Sequence, residues 1–509
     1  MNLEALLQEK FKYDSFRTGQ KEIIIDLLAG HNVVAMLPTG GGKSITYQLP
    51  AYALDGAVVI VSPLLSLMED QVNQLRMIGE KRVIAFNSFR TFEEKRAAMH
   101  RIHRYKFIFA SPEMLQATQF ILTLQRIQVA LFVVDEAHCI SQWGHDFRPD
   151  YQRLYRVVKK LGNPPVLALT ATATQPMLED IVSSLHLTDV KMHLFSIDRP
   201  NIALCVNKVE SIEEKKKVLL DYIKKLQGPG IIYCSSRYWS EAIAHYLRQE
   251  GIAGVSHYHG GMEQEDRMLI QQQFIHDQLR IISCTSAFGM GINKPNIRYI
   301  VHFQYSSNIE SYLQEIGRAG RDGQKSVAII LLSPMDHEGP MHMIADELPS
   351  NERIASFIMS IEQGQESLIS VDHAEEVARN TFGFTEQHWR FVYFQLEKLG
   401  VITEEGLDKN KLGANVKEVI MTAATSLLKT KIDKLQDMQR WLEVEGCRRE
   451  GLLQLFNYTL EEKPDPCCDR CGIDISNYCE TDNATSMECM DWKLELQHLL
   501  YPNLWRKHE

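Results

Sequence analysis

The sequence predicts an α/β chain: two tandem parallel-sheet domains, then a mainly helical accessory region with a metal-binding subdomain. Three observations carry this reading. Continuous β-branched runs alternate with amphipathic stretches up to Arg199-Pro200, the same rhythm restarts beyond it, and four cysteines cluster between Cys447 and Cys471. At roughly 100–200 residues per domain, a chain of 509 residues holds three or four domains.

In the first domain, Asn32-Val33-Val34-Ala35-Met36, Ala57-Val58-Val59-Ile60-Val61 and Leu131-Phe132-Val133-Val134 lack polar alternation. Such runs suit strands of a parallel sheet covered on both faces. In the second, Gly230-Ile231-Ile232-Tyr233-Cys234, Arg280-Ile281-Ile282-Ser283, Tyr299-Ile300-Val301-His302 and Val327-Ala328-Ile329-Ile330-Leu331 repeat the pattern. Beyond Ser333-Pro334 helical periodicity takes over. One helix is read from an N-cap at Thr385 to Leu399, stopped by Gly400 and followed by a strand-like Val401-Ile402-Thr403. Another carries Leu428, Ile432, Leu435, Met438 and Leu442 as a core-facing stripe. The expected divisions are 1–197, 198–335, an inserted helical or winged-helix-like module at 336–425, a metal subdomain at 426–480 and a tail at 481–509.

Composition excludes several classes. Hydrophobic residues at 45% and charged residues at 24% exclude a wholly disordered, collagenous or coiled-coil chain. No run of about 18 apolar residues is present, and the charged N-terminus has no apolar segment of a secretory signal. In such a chain the cysteine cluster reads as metal ligands in a reducing compartment. The net charge of −10 gives no hint of nucleic acid; any polyanion must be held by a local basic track.

Thr39-Gly40-Gly41-Gly42-Lys43-Ser44 follows one strand and precedes a helix. The glycines let backbone N–H groups wrap a phosphate, Lys43 neutralises β- and γ-phosphates, and the Ser44 hydroxyl coordinates Mg²⁺. Leu37 stands where the full P-loop pattern has glycine, so a plain βα turn is the competing reading. Asp135-Glu136-Ala137-His138, about 90 residues on, ends a buried strand, the edge where parallel sheets bind ligands. Asp135 then joins the Mg²⁺ shell and Glu136 activates the attacking water. Arg318 and Arg321 lie three residues apart in Gly317-Arg318-Ala319-Gly320-Arg321; they are read as guanidiniums that reach the γ-phosphate from the second domain.

Four cysteines, Cys447, Cys467, Cys468 and Cys471, suit tetrahedral Zn²⁺, with Cys468-x-x-Cys471 as the chelating turn. Adjacent ligands are geometrically tight, which leaves Cys479 as an alternative to Cys467.

With these motifs in place the chain resembles the superfamily-two helicases, and more narrowly the RecQ family of DNA helicases. The resemblance runs over residues 8–335 and resumes at 426–472. It implies RecA-like domains. It also implies that Tyr13 and Arg17 sandwich the adenine of ATP while Gln20 bonds its edge; Lys12 departs from the family's usual glycine. Ser141-Gln142-Trp143-Gly144-His145-Asp146-Phe147-Arg148 is similar to the family's aromatic-rich loop. Trp143 and Phe147 offer stacking faces to bases and Arg148 a cation to phosphate. Leu169-Thr170-Ala171-Thr172-Ala173-Thr174 looks like the coupler between ATP closure and DNA grip. Cys234-Ser235-Ser236-Arg237 and Thr285-Ser286 supply hydroxyls and amides that position a strand without reading its sequence.

The resemblance implies ATP, Mg²⁺ and Zn²⁺ as cofactors and 3′→5′ movement on DNA, with single-stranded, forked or duplex DNA as substrate. It implies a monomer in the cytoplasm at the bacterial nucleoid, off the membrane, with single-stranded-DNA-binding or recombination proteins as partners. Only 38 residues follow Cys471, so a short form is expected, without the later winged-helix and helical DNA-binding domains of longer members. That shortness supports a second reading, an ATP-gated junction clamp or annealing protein. An RNA-dependent ATPase is a third, disfavoured by the aromatic loop.

Overall fold

A computed structural model describes residues 2–479 apart from 64, 88–90, 142–147, 290–293, 365–366 and 404. The first sheet has strands β1 (Asn32–Met36), β2 (Ala57–Val61), β3 (Val83–Phe86), β4 (Phe107–Ala110), β5 (Val129–Val134), β6 (Val166–Thr170) and β7 (Val190–Leu194). All pairings are parallel, in the order β3-β4-β2-β5-β6-β1-β7. Alternate residues of one strand feed two cores. Val34, Val59 and Phe132 face one helical layer, while Val33, Val58 and Leu131 face the other. This is why the runs are apolar throughout instead of alternating.

The second sheet has β8 (Ile202–Lys208), β9 (Gly230–Tyr233), β10 (Val255–Tyr258), β11 (Ile281–Cys284), β12 (Tyr299–His302) and β13 (Ser326–Leu332). It is parallel as well, in the order β10-β11-β9-β12-β13-β8. Gly230 is required by packing: a Cβ there would lie 1.9 Å from the Tyr299 ring.

Beyond the second sheet, helices Asn351–Gln363, Val371–Phe382 and Glu386–Lys398 enclose a small antiparallel sheet. Its strands β14 (Leu368–Ile369), β15 (Ile402–Thr403) and β16 (Gly406–Asp408) run in the order β14-β16-β15. Thr385 caps the third helix by accepting the His388 N–H at 3.1 Å, and Gly400 leaves it at φ +71°. Trp389, Phe391 and Phe394 are buried. Trp389 and Phe391 join Ile354, Phe357 and Leu407 in a core separate from the two sheets.

The helix Ala414–Leu442 joins this module to the rest. Ile420 and Ala424 enter the module's core, whereas Leu435, Met438, Trp441 and Leu442 enter the core beneath the parallel sheets. The expected boundary at 425/426 therefore falls inside one unbroken helix, because no glycine or proline interrupts this stretch. Among the described residues, no helix is long and apolar enough to cross a membrane.

Candidate active site and cysteine cluster

The loop after β1 carries Gly40 at φ +83° and Gly42 at φ +76°, conformations that favour glycine. A Cβ on Gly40 would also come within 3.2 Å of Arg199 Nη1 and 3.3 Å of Arg321 Cγ. Asp135 and Glu136 follow β5. Glu136 sits at φ +50°, a strained backbone of the kind that clusters at functional sites. Its Oε1 lies 3.3 Å from Lys43 Nζ. A single cleft of about 610 Å³ is lined by Tyr13, Arg17, Gln20, Thr39–Ser44 apart from Gly41, the Asp135-Glu136 pair, and Arg318 and Arg321. That volume suits a nucleotide-sized ligand. Motifs some 300 residues apart in sequence thus meet in one place.

The electrostatics of the cleft suit a polyphosphate. Burial, then the Glu136 charge, raises Asp135 to about 6. Burial and the neighbouring Arg318 and Arg199 push Arg321 down to about 9. Burial and Arg17 bring Arg199 to about 10. Crowded cations that lower one another's pKa create a strong positive field. The Ser44 hydroxyl and the Asp135 carboxylate, which line the same cleft, are oxygen donors of the kind Mg²⁺ takes.

From Glu136 the contacts lead into the first sheet. His138 Nδ1 lies 3.4 Å from Glu136 Oε2 and 3.2 Å from Thr170 Oγ1. The Thr170 hydroxyl donates to the Thr172 carbonyl at 2.9 Å, so it accepts from the His138 ring. His138 thus stands between the acid that faces Lys43 and the Thr170–Thr174 segment.

Some expected residues make other contacts. Tyr13 is exposed. Arg17 donates to the Gly40 carbonyl, and Gln20 Nε2 donates to the Gly42 carbonyl at 3.0 Å. Both thus grip the phosphate loop. Arg148 donates to the Pro63 carbonyl at 2.7 Å, which fixes one edge of its guanidinium. Trp143 and Phe147 lie outside the described residues. Two cleft residues were not read from the sequence. Asp70, raised to about 6 by burial, faces Arg321, and Arg199 touches the phosphate loop.

The cysteine cluster resolves the choice of fourth ligand. Cys447, Cys467, Cys468 and Cys471 bring their sulfurs within 4.8 Å of one another. Cys447–Cys467, Cys447–Cys468 and Cys468–Cys471 separations are 3.6, 4.0 and 3.3 Å, near the roughly 3.8 Å expected around tetrahedral zinc at 2.3 Å. Cys479 points elsewhere, donating to the Ile475 carbonyl at 3.4 Å. Adjacent cysteines are accommodated because this segment runs as an extra edge on β8: the Leu204 N–H donates to the Cys467 carbonyl at 3.1 Å. Arg448 clamps Asp469 with Nε at 2.5 Å and Nη2 at 2.9 Å.

Glu241, His257 and His259 form a second group of metal-ligand type. Its hydrogen bonds argue against a metal. His259 Nδ1 accepts the Gly261 N–H at 3.2 Å, so Nε2 carries the proton that it donates to Glu241 at 2.7 Å.

The fold and the cleft define an ATP-hydrolysing helicase of superfamily two. Residues 17–181 match the DEAD/DEAH box helicase family and residues 214–323 the helicase conserved C-terminal domain. The chain is 43% identical over 507 residues to the probable ATP-dependent DNA helicase RecS of Bacillus subtilis, covering 98% of this chain and 97% of that one. It is 40% identical to the ATP-dependent DNA helicase RecQ of Haemophilus influenzae, over 65% of this chain and 54% of the relative. The chain belongs to the RecQ family of ATP-dependent DNA helicases. The solved structure of Mycobacterium smegmatis helicase Lhr, bound to single-stranded DNA and AMP-PNP, shares the fold. Its TM-score is 0.57 at 19% identity, over 82% of this chain and 61% of that one.

Proposed function

We propose that this helicase moves 3′→5′ along single-stranded DNA and unwinds forked or duplex DNA in recombination and repair. The observation that supports it most is the cleft in which Lys43 and Glu136 of the first domain meet Arg318 and Arg321 of the second. Lys43 and the glycine loop hold the phosphates, with Tyr13, Arg17 and Gln20 on the adenine side. Ser44 and Asp135 would hold Mg²⁺, which would supply charge neutralisation on the phosphates. Glu136 takes the proton of the attacking water, and Arg318 and Arg321 stabilise the charge that develops at the γ-phosphate. Through His138 and Thr170 the same acid responds to the strand-gripping surface. There Trp143, Phe147 and Arg148 contact DNA.

Zinc held by Cys447, Cys467, Cys468 and Cys471 is structural, because four thiolates leave no open coordination position. The module at 336–425, with its helix–strand–helix–helix–strand–strand order, is a winged helix ahead of the zinc site and serves as the strand-separating wedge. The chain acts as a monomer in the cytoplasm at the nucleoid, alongside single-stranded-DNA-binding and recombination proteins. A clamp without unwinding is not favoured, since the relatives are named as ATP-dependent DNA helicases. Forked-duplex unwinding with ATP is the test, with Glu136→Gln as its control. Unwinding that vanishes in the variant supports the reading, and annealing or capture that needs no ATP defeats it.

A further inference from the structure

The connector between the two sheets holds a partly buried arginine that no motif reading assigns. Arg199 lies between β7 and β8, and its guanidinium reaches four backbone carbonyls. Nη1 donates to Thr39 at 2.6 Å and to Gly317 at 3.0 Å; Nη2 donates to Ala319 at 3.0 Å and to Gly320 at 2.8 Å. Thr39 belongs to the phosphate loop of the first domain. Gly317, Ala319 and Gly320 belong to the loop of the second that carries Arg318 and Arg321.

The chemistry fits a cation at this point. Gly317 ends helix Ile309–Ile316, where carbonyls without helical partners and the negative end of the dipole attract positive charge. Arg321 is packed against the same feature, since Gly40 separates its Cγ from Arg199 Nη1. Asn201 supports the loop from behind, with Nδ2 donating to Gly320 at 2.8 Å and to Gln324 at 2.9 Å. The connector is itself anchored from the cysteine region: Arg449 donates to Asp198, to the Arg199 carbonyl at 3.1 Å and to the Ile202 carbonyl. A planar fork with fixed donors can span two loops in one geometry, which a flexible ammonium cannot do.

We propose that Arg199 is a positioning residue that sets the arginine loop of the second domain against the phosphate loop of the first when the cleft is closed. It touches backbone rather than substrate and acts through Arg318 and Arg321. By way of Arg449, the cysteine region fixes where that bridge stands. The inference rests on the reading of the cleft as the ATP site.

The test uses the full chain with Arg199→Lys and Arg199→Ala. DNA-stimulated kcat should fall about 10–100-fold, the scale on which misplaced catalytic groups lose rate. KM for ATP should stay within about threefold, because binding to the phosphate loop is not removed. Free guanidinium at millimolar concentration should restore part of the Arg199→Ala rate, while zinc content and melting temperature match the wild type. A kcat within about twofold of wild type in both variants overturns the proposal. So does a loss that follows lowered melting temperature and that guanidinium worsens, since the role is then merely structural. Lys43→Ala separates the two readings. If it hydrolyses ATP normally, the site assignment fails; if it is dead and the Arg199 variants are normal, only this inference fails.

Discussion

Arg153 and Glu397 join the first parallel-sheet domain to the third helix of the accessory module, with Arg153 Nε 3.0 Å from Glu397 Oε2. The guanidinium also lies over the Tyr393 ring at 5.8 Å and reaches Asp150 Oδ1 at 2.9 Å. Partial burial of both partners lifts this pair above an ordinary surface ion pair. Glu397→Lys should release the module, seen as faster thermolysin cleavage between residues 336 and 425. Adding Arg153→Glu should restore resistance. Equal cleavage of the wild type and the single variant would show that other contacts hold the module.

Lys43→Ala should abolish ATP hydrolysis and largely preserve DNA binding. The substitution removes the ammonium proposed to meet the phosphates and leaves the loops proposed to grip DNA untouched. Steady-state hydrolysis with and without single-stranded DNA, alongside fluorescence anisotropy for binding, checks both halves.

Cys471→Ser should lose about one zinc per chain and make the segment beyond Leu442 protease-sensitive. Structural zinc contributes on the order of 10 kcal/mol of folding free energy, whereas the two sheets bury their own cores. ATP binding should therefore persist. Cys479→Ser should keep its zinc, because that sulfur bonds Ile475. Elemental analysis of both proteins decides the ligand set.

Asp70 gives a pH signature. Its folded pKa of about 6 exceeds the ordinary carboxylate value, with burial the main cause. A raised carboxyl pKa favours the protonated folded state, so this group's penalty grows as pH rises from about 4 to about 6 and is full above that. Asp70→Asn keeps an acceptor for Gln74, which now donates to Asp70 at 2.7 Å. The variant should melt about 2–4 °C higher than wild type at pH 7.5, and the gap should close near pH 4. A gap that is constant with pH would place its origin outside this titration.

The strands were legible because burial on both faces removes polar alternation. Asn32–Met36, Ala57–Val61 and Tyr299–His302 were read to the residue, and the other runs named differ by one or two residues at one or both ends. Thr385 and Gly400 marked a helix through the chemistry of its two ends. The strand-like Val401-Ile402-Thr403 contains β15, whereas β14 and β16 span only two and three residues, too short for a period to show. The phosphate loop, the acid pair and the cysteines were legible because their side chains carry the chemistry. Arg199 was not, because its acceptors are backbone carbonyls up to 121 residues from it on one side and 160 on the other. A carbonyl leaves no trace in residue identity. The contacts of Arg17 and Gln20 with the phosphate loop escaped notice for the same reason.

The helix Ala414–Leu442 spans the accessory module and the sheet domains. Its 29 residues reach about 43 Å at 1.5 Å per residue. One end is fixed by Lys434 on Glu310 and by Trp441, whose indole donates to the Arg448 carbonyl at 2.9 Å. The other end lies in the module that Glu397 tethers to Arg153. From Lys434 to Ala414 the arm is about 30 Å, so a tilt of about 5° there would carry the far end through about 3 Å. The module's place is thus set by both sheet domains at once, through Lys434 on one side and Arg153 on the other.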